Sequence, residues 1–253
     1  MSELSAIARV QASLERGDLA DVLDRTEALL AERPGDGAAH ELRARALLAL
    51  GRMDEAERHA NDAVRIDPDE TRYRELLAEV LAGRGAHRDA AGEFGQLARR
   101  DPRSQDWLLA EARERLNAAQ PEMGVDAARR AVRLDPQNGS AQLALARGLA
   151  RTGDAAGSLA AASRAAALMP GDRDVREALA DARWLAGDRA TAFNELRALA
   201  AELRGPGEQA DRRRIEEKAL VLYGQRARGF GRLFVRWPAL FRVALRNGWV
   251  GAR

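Results

Sequence analysis

Five prolines, Pro34, Pro68, Pro102, Pro136 and Pro170, stand 34 residues apart. A fixed period of that length is the mark of stacked helical hairpins rather than of one globular core. In a frame whose units begin at Glu3, Gly37, Thr71, Gln105, Gly139 and Arg173, the same slots recur in every unit. The eighth residue is Val10, Ala44, Ala78, Ala112, Ala146 or Ala180, small enough for two helices to approach closely. The fifteenth is Gly17, Gly51, Gly85, Ala119, Gly153 or Gly187, where a first helix is expected to end in a left-handed residue that a Cβ disfavours. The twentieth is Val22, Ala56, Ala90, Gly124, Ser158 or Ala192, again small and expected to face the eighth across the hairpin. Asp-Pro or Met-Pro then closes four of the units, because proline pushes the residue before it out of the helical region and brings no amide donor.

These slots resemble the tetratricopeptide repeat over roughly residues 3 to 204. The second unit is the clearest copy, with Leu47, Gly51, Ala56, Ala63 and the closing Ile66-Asp67-Pro68. The resemblance implies an all-α, right-handed solenoid of about six helix-turn-helix repeats with a concave groove, in a family that binds peptides or protein surfaces and rarely catalyses. The fourth unit departs from the pattern: it has Ala119 in the glycine slot, Glu111 and Arg115 at usually apolar positions, and Pro121, which suits the first turn of a second helix. The sixth unit has Arg204 in place of the closing proline.

Composition fits an array. Only 4% of the 253 residues are aromatic, thin for a globular interior, so alanine must carry the packing. The absence of cysteine rules out a disulfide framework and thiolate metal sites. Met1 to Val10 lacks a basic start followed by an apolar stretch, and no segment has 18 uninterrupted apolar residues, so neither a secretory signal nor a membrane span is expected. The expected location is cytoplasmic, and membrane-peripheral if the tail lies on lipid.

Charge changes character near Gly205-Pro206-Gly207. Residues 1 to 206 carry 30 Lys or Arg against 35 Asp or Glu, whereas residues 207 to 253 carry 11 against 4. Within 207–228, Ile215, Ala219, Leu222 and Tyr223 are spaced along one helix face and suit a cap over the last repeat, with Arg212-Arg213-Arg214 as its solvated side. In 229–253, Arg232, Arg236, Arg242 and Arg246 fall on one arc of a helical projection and Phe230, Phe234, Trp237 and Phe241 on the other, interrupted at Pro238. Such a basic amphipathic tail docks on its own repeats, on a partner protein or on an anionic membrane surface. Nucleic acid is not expected. The run Arg228-Gly229-Phe230-Gly231-Arg232-Leu233-Phe234-Val235 echoes an RNA-recognition octamer but has Arg232 and Val235 where stacking aromatics belong.

In the family the fifth and ninth residues of each first helix commonly line the groove. Here the fifth are Ile7, Glu41, Glu75, Leu109, Leu143 and Glu177, and the ninth are Gln11, Arg45, Glu79, Arg113, Arg147 and Asp181. The resemblance thus implies a groove lined by Arg45, Glu79, Leu109, Arg113, Leu143, Arg147 and Asp181. Arg113 and Arg147 beside Leu109 and Leu143 suit an acidic or amphipathic protein segment. Equally, Arg45 can pair with Glu79 and Arg147 with Asp181 across neighbouring units, leaving a neutral wall.

No catalytic motif, cofactor site or metal site is expected. The three histidines, His40, His59 and His87, are scattered without a helical i, i+4 partner and read as surface residues. The expected role is a non-catalytic adaptor or scaffold for a protein or peptide. A membrane tether through the tail, or an accessory subunit of an enzyme on another chain, are the alternatives.

Overall fold

A computed structural model describes residues 3–205 and 207–226, and every secondary-structure element among them is a helix. The chain divides into two compact units, Met1–Pro136 and Gln137–Arg253.

The first unit holds α1 (Glu3–Glu15), α2 (Leu19–Glu32), α3 (Gly37–Ala49), α4 (Met53–Ile66), α5 (Thr71–Gly83), α6 (His87–Arg100), α7 (Gln105–Asn117) and α8 (Pro121–Leu134). Each helix packs on the next, and first helices also touch first helices, α1 on α3 and α3 on α5. The second unit holds α9 (Gly139–Thr152), α10 (Ala155–Leu168), α11 (Arg173–Leu185), α12 (Arg189–Glu202) and α13 (Gln209–Arg226), packed in the same serial way, with α9 also on α11. Serial packing of helix pairs is the solenoid arrangement expected from the 34-residue period.

The local chemistry of the repeat explains each boundary. The fifteenth slot is left-handed in all six repeats, Gly17, Gly51, Gly85, Gly153 and Gly187 having φ between 72° and 96°, and Ala119 sharing that region at 55°. Ala119 is the one non-glycine with positive φ among the described residues, and it bears the Cβ penalty that glycine avoids. Second helices stop one residue short of each X-Pro pair, at Glu32, Ile66, Arg100, Leu134 and Leu168, so the residue before proline serves as C-cap. Two residues after each proline a side chain caps the next first helix. Asp36, Ser104, Asn138 and Asp172 each accept a hydrogen bond from the amide three residues on, and Glu70 accepts one from Arg72 N.

The small slots are fully used. The six eighth-slot residues are at most 1% exposed, and Val22, Ala56, Ala90, Gly124, Ser158 and Ala192 facing them are buried as well. At Gly124 a Cβ would lie 3.0 Å from Leu116 Cδ2 and 3.2 Å from the Ala112 carbonyl, so no side chain fits without displacing α7. Around these contacts larger side chains interlock, Leu47, Leu76 and Val80 in the first unit and Leu196 with Ile215 in the second. Glu111 and Arg115, the charged intruders of the fourth repeat, are buried or nearly so and face each other at 3.6 Å, with Arg130 Nη1 also 3.6 Å from Glu111.

Candidate functional site

In the first unit the fifth and ninth residues of successive first helices act on one another. Glu41, buried on α3, accepts a hydrogen bond from Arg45 Nε at 3.0 Å and lies 3.4 Å from Arg72 Nη1 of the next repeat. Arg45 therefore pairs one turn back on its own helix and not with Glu79, the partner allowed across neighbouring units by sequence. Burial raises the Glu75 carboxyl above its ordinary value, and Glu79, Asp106 and Glu41 push the same way while Arg45 opposes them. Glu75 thus sits among the carboxylates of Glu79, Asp106 and Glu41, with Arg45 as the opposing cation. Farther along, Leu109 is half-buried, and Arg113, 65% exposed, donates from Nε to Glu114 at 2.7 Å. Glu114 is buried and also meets His87 Nδ1 at 2.8 Å. Burial opposes its ionisation, but the bonds from Arg113 and His87 prevail and hold its carboxyl below the usual range.

In the second unit Leu143 is half-buried, and Arg147 pairs with Asp174 at 2.9 Å rather than with Asp181. Asp181 and Glu177, the ninth and fifth residues of α11, meet α13 instead. Arg214 clasps Glu177 with both terminal nitrogens at 2.7 and 2.8 Å, and Lys218, the chain's only lysine, bridges Glu177 at 2.8 Å and Asp181 at 2.6 Å. Desolvation works against the Glu177 carboxylate, yet the Arg214 and Lys218 bonds outweigh it and bring its pKa to about 2. At Asp181 desolvation dominates and the carboxyl is raised despite Lys218. Beneath these ion pairs Ile215 and Ala219 of α13 are buried in the cluster with Leu196 and Leu199. Arg214 is thus a docking residue and not part of a purely solvated arginine face; Arg212 and Arg213 are exposed.

The family model of the tetratricopeptide repeat matches residues 13–80. These are tetratricopeptide repeats. A tetratricopeptide repeat protein from Parabacteroides merdae is 16% identical and superposes with a TM-score of 0.71 over 95% of this chain and 98% of its own. YrrB, described as a tetratricopeptide repeat protein with an unusual peptide-binding site, is 16% identical with a TM-score of 0.55 over 70% of this chain and 91% of its own. A thermophilic tetratricopeptide repeat protein of Thermus thermophilus is 19% identical with a TM-score of 0.55 over 73% and 99%. No curated protein matches the chain in sequence.

His40 is 8% exposed and not a surface residue, and its Nδ1 lies 3.0 Å from His59 Nδ1 on the other helix of the second tetratricopeptide unit. Spacing along one helix does not reveal this pair, because the hairpin turn brings His40 and His59 together from positions 19 apart. Burial, helped by His40 and Arg43, lowers His59 to about 4, so it is neutral near pH 7. The tail residues Phe230, Arg232, Phe234, Arg236, Trp237, Phe241, Arg242 and Arg246 lie outside the described residues. Among the described residues no helix is long and apolar enough to cross a membrane.

Proposed function

We propose that the chain is a non-catalytic scaffold that holds a segment of a partner protein against the fifth and ninth residues of its first helices. The observation that carries this reading is α13. A segment with a buried apolar edge, Ile215 and Ala219, sets its cations on Glu177 and Asp181, which are the fifth and ninth residues of the sixth repeat. The third repeat likewise has two acids in these slots, Glu75 and Glu79, and the cation acting on Glu75, Arg45, is already held by Glu41. A basic amphipathic segment is therefore the occupant that this part of the wall favours, since its cations would relieve the crowding of carboxylates there. The peptide-binding site named for YrrB supports the general mode.

A second reading places an acidic segment on Arg113 beside Leu109 in the first unit, or on Arg147 beside Leu143 in the second. Their exposure supports it, although the segment would have to displace Glu114 and Asp174 from these guanidiniums. Fluorescence anisotropy with two labelled amphipathic peptides, identical except for Arg in one and Glu in the other, separates the readings. The Arg peptide is expected to bind, and Glu75→Gln with Glu79→Gln to weaken it by on the order of 2 kcal/mol, as interfacial charge pairs do. Binding of the Glu peptide alone, lost on Arg113→Glu with Arg147→Glu, would establish the second reading. If neither peptide binds, the wall is not a docking surface.

A further inference from the structure

We propose that His40, His59 and Asp62 form a binding site for a transition-metal dication of the zinc type, clamped between the two helices of the second repeat. His40 sits in the first turn of α3, and His59 and Asp62 lie three residues apart on α4, so both face the same way across the hairpin. One ligand atom of each lies within 4.8 Å of the others. The two Nδ1 atoms are 3.0 Å apart, close to the roughly 3.3 Å between two nitrogens each about 2.0 Å from a tetrahedral ion. Asp62 Oδ2 is 3.9 Å from His40 Nδ1 and supplies the anionic ligand.

The surroundings already orient the first ligand. His40 Nε2 is 3.0 Å from the Pro34 carbonyl oxygen, which can only accept, so the proton sits on Nε2 and the Nδ1 lone pair points toward His59. In the metal-free protein His59 Nδ1–H donates to that lone pair. On binding, His59 shifts its proton to Nε2, both Nδ1 lone pairs face the ion, and no proton is lost overall. Two imidazoles and a carboxylate suit zinc, cobalt, nickel or copper, whereas magnesium and calcium prefer an all-oxygen set. Three protein ligands leave a fourth position for water.

Competing cations set the strength. Arg65 donates to Asp62 Oδ1 at 2.9 Å in an exposed pair that costs little to give up. Arg43 and Arg58 also act on His59, but Arg43 is held by the Leu23 carbonyl at 2.7 Å and by Glu27. Affinity on the order of micromolar is therefore expected, below that of a closed structural zinc site.

The test is calorimetric titration of the full chain with zinc chloride, with magnesium chloride as control. Wild type should take up one zinc ion and no magnesium. His59→Ala and Asp62→Asn should each weaken zinc at least tenfold, while His87→Ala, which removes the one histidine outside the cluster, should change nothing. Cobalt(II) loaded in place of zinc should give the intense visible bands of tetrahedral nitrogen and oxygen ligation in wild type and lose them in His59→Ala. His40 is buried, so His59→Ala and Asp62→Asn carry the test if His40→Ala fails to fold. No zinc uptake, or uptake unchanged in His59→Ala and Asp62→Asn, overturns the site.

Discussion

Replacing Glu177 by glutamine should undock α13 in a manner that depends on pH. The Glu177 side chain is 11% exposed, receives three charge-assisted bonds from Arg214 and Lys218, and has its pKa brought from 4.5 to about 2. A carboxylate depressed in the folded state adds stability that is complete above its unfolded pKa and disappears as pH falls through the folded one. At about 1.36 kcal/mol per pKa unit the full effect is somewhat over 3 kcal/mol, and because Arg214 is half-exposed and partly screened, about 2 to 3 kcal/mol is the working figure, to order of magnitude. Urea unfolding of wild type and Glu177→Gln at several pH values reads it out. The variant should be less stable by about that amount at pH 6, and the gap should shrink through the interval from about 4.5 to about 2 as wild-type Glu177 takes up its proton. A gap of equal size at pH 6 and near pH 2, or none at pH 6, would refute the claim that this ion cluster holds α13 in place.

Two substitutions probe the repeat itself. Ala119→Gly removes a Cβ from the left-handed turn of the fourth repeat, where φ is 55°, and should raise stability by about 0.5 to 1 kcal/mol by urea unfolding, the strain relieved exceeding the added chain entropy. Ala78→Leu forces extra methylenes into an eighth slot with no exposure and should lower stability by about 1 to 3 kcal/mol in the same assay; a neutral outcome would mean that the helices of the third repeat have slack.

What the sequence determined about this protein is whatever repeats locally. The left-handed turn, the stop before proline and the small eighth and twentieth residues each act within one hairpin, so a 34-residue period was enough to place the turn inside each repeat and the close contact beside it, Ala119 and Pro121 included. The capping side chains of the first helices, Asp36, Ser104, Asn138 and Asp172, were equally legible at a fixed offset from proline, and attention to N-caps would have found them. Tertiary structure alone decided the partners of long charged side chains. Arg45 can reach Glu41 or Glu79, and Arg147 can reach Asp174 or Asp181, and the choice falls to ångström differences in helix spacing and to what else is nearby. Lys218 claims Asp181 only because Ile215 and Ala219 seat α13 there, 37 residues down the chain. Likewise His40 and His59 meet because buried alanines let α3 and α4 approach so closely, an outcome of packing that no one-helix pattern encodes.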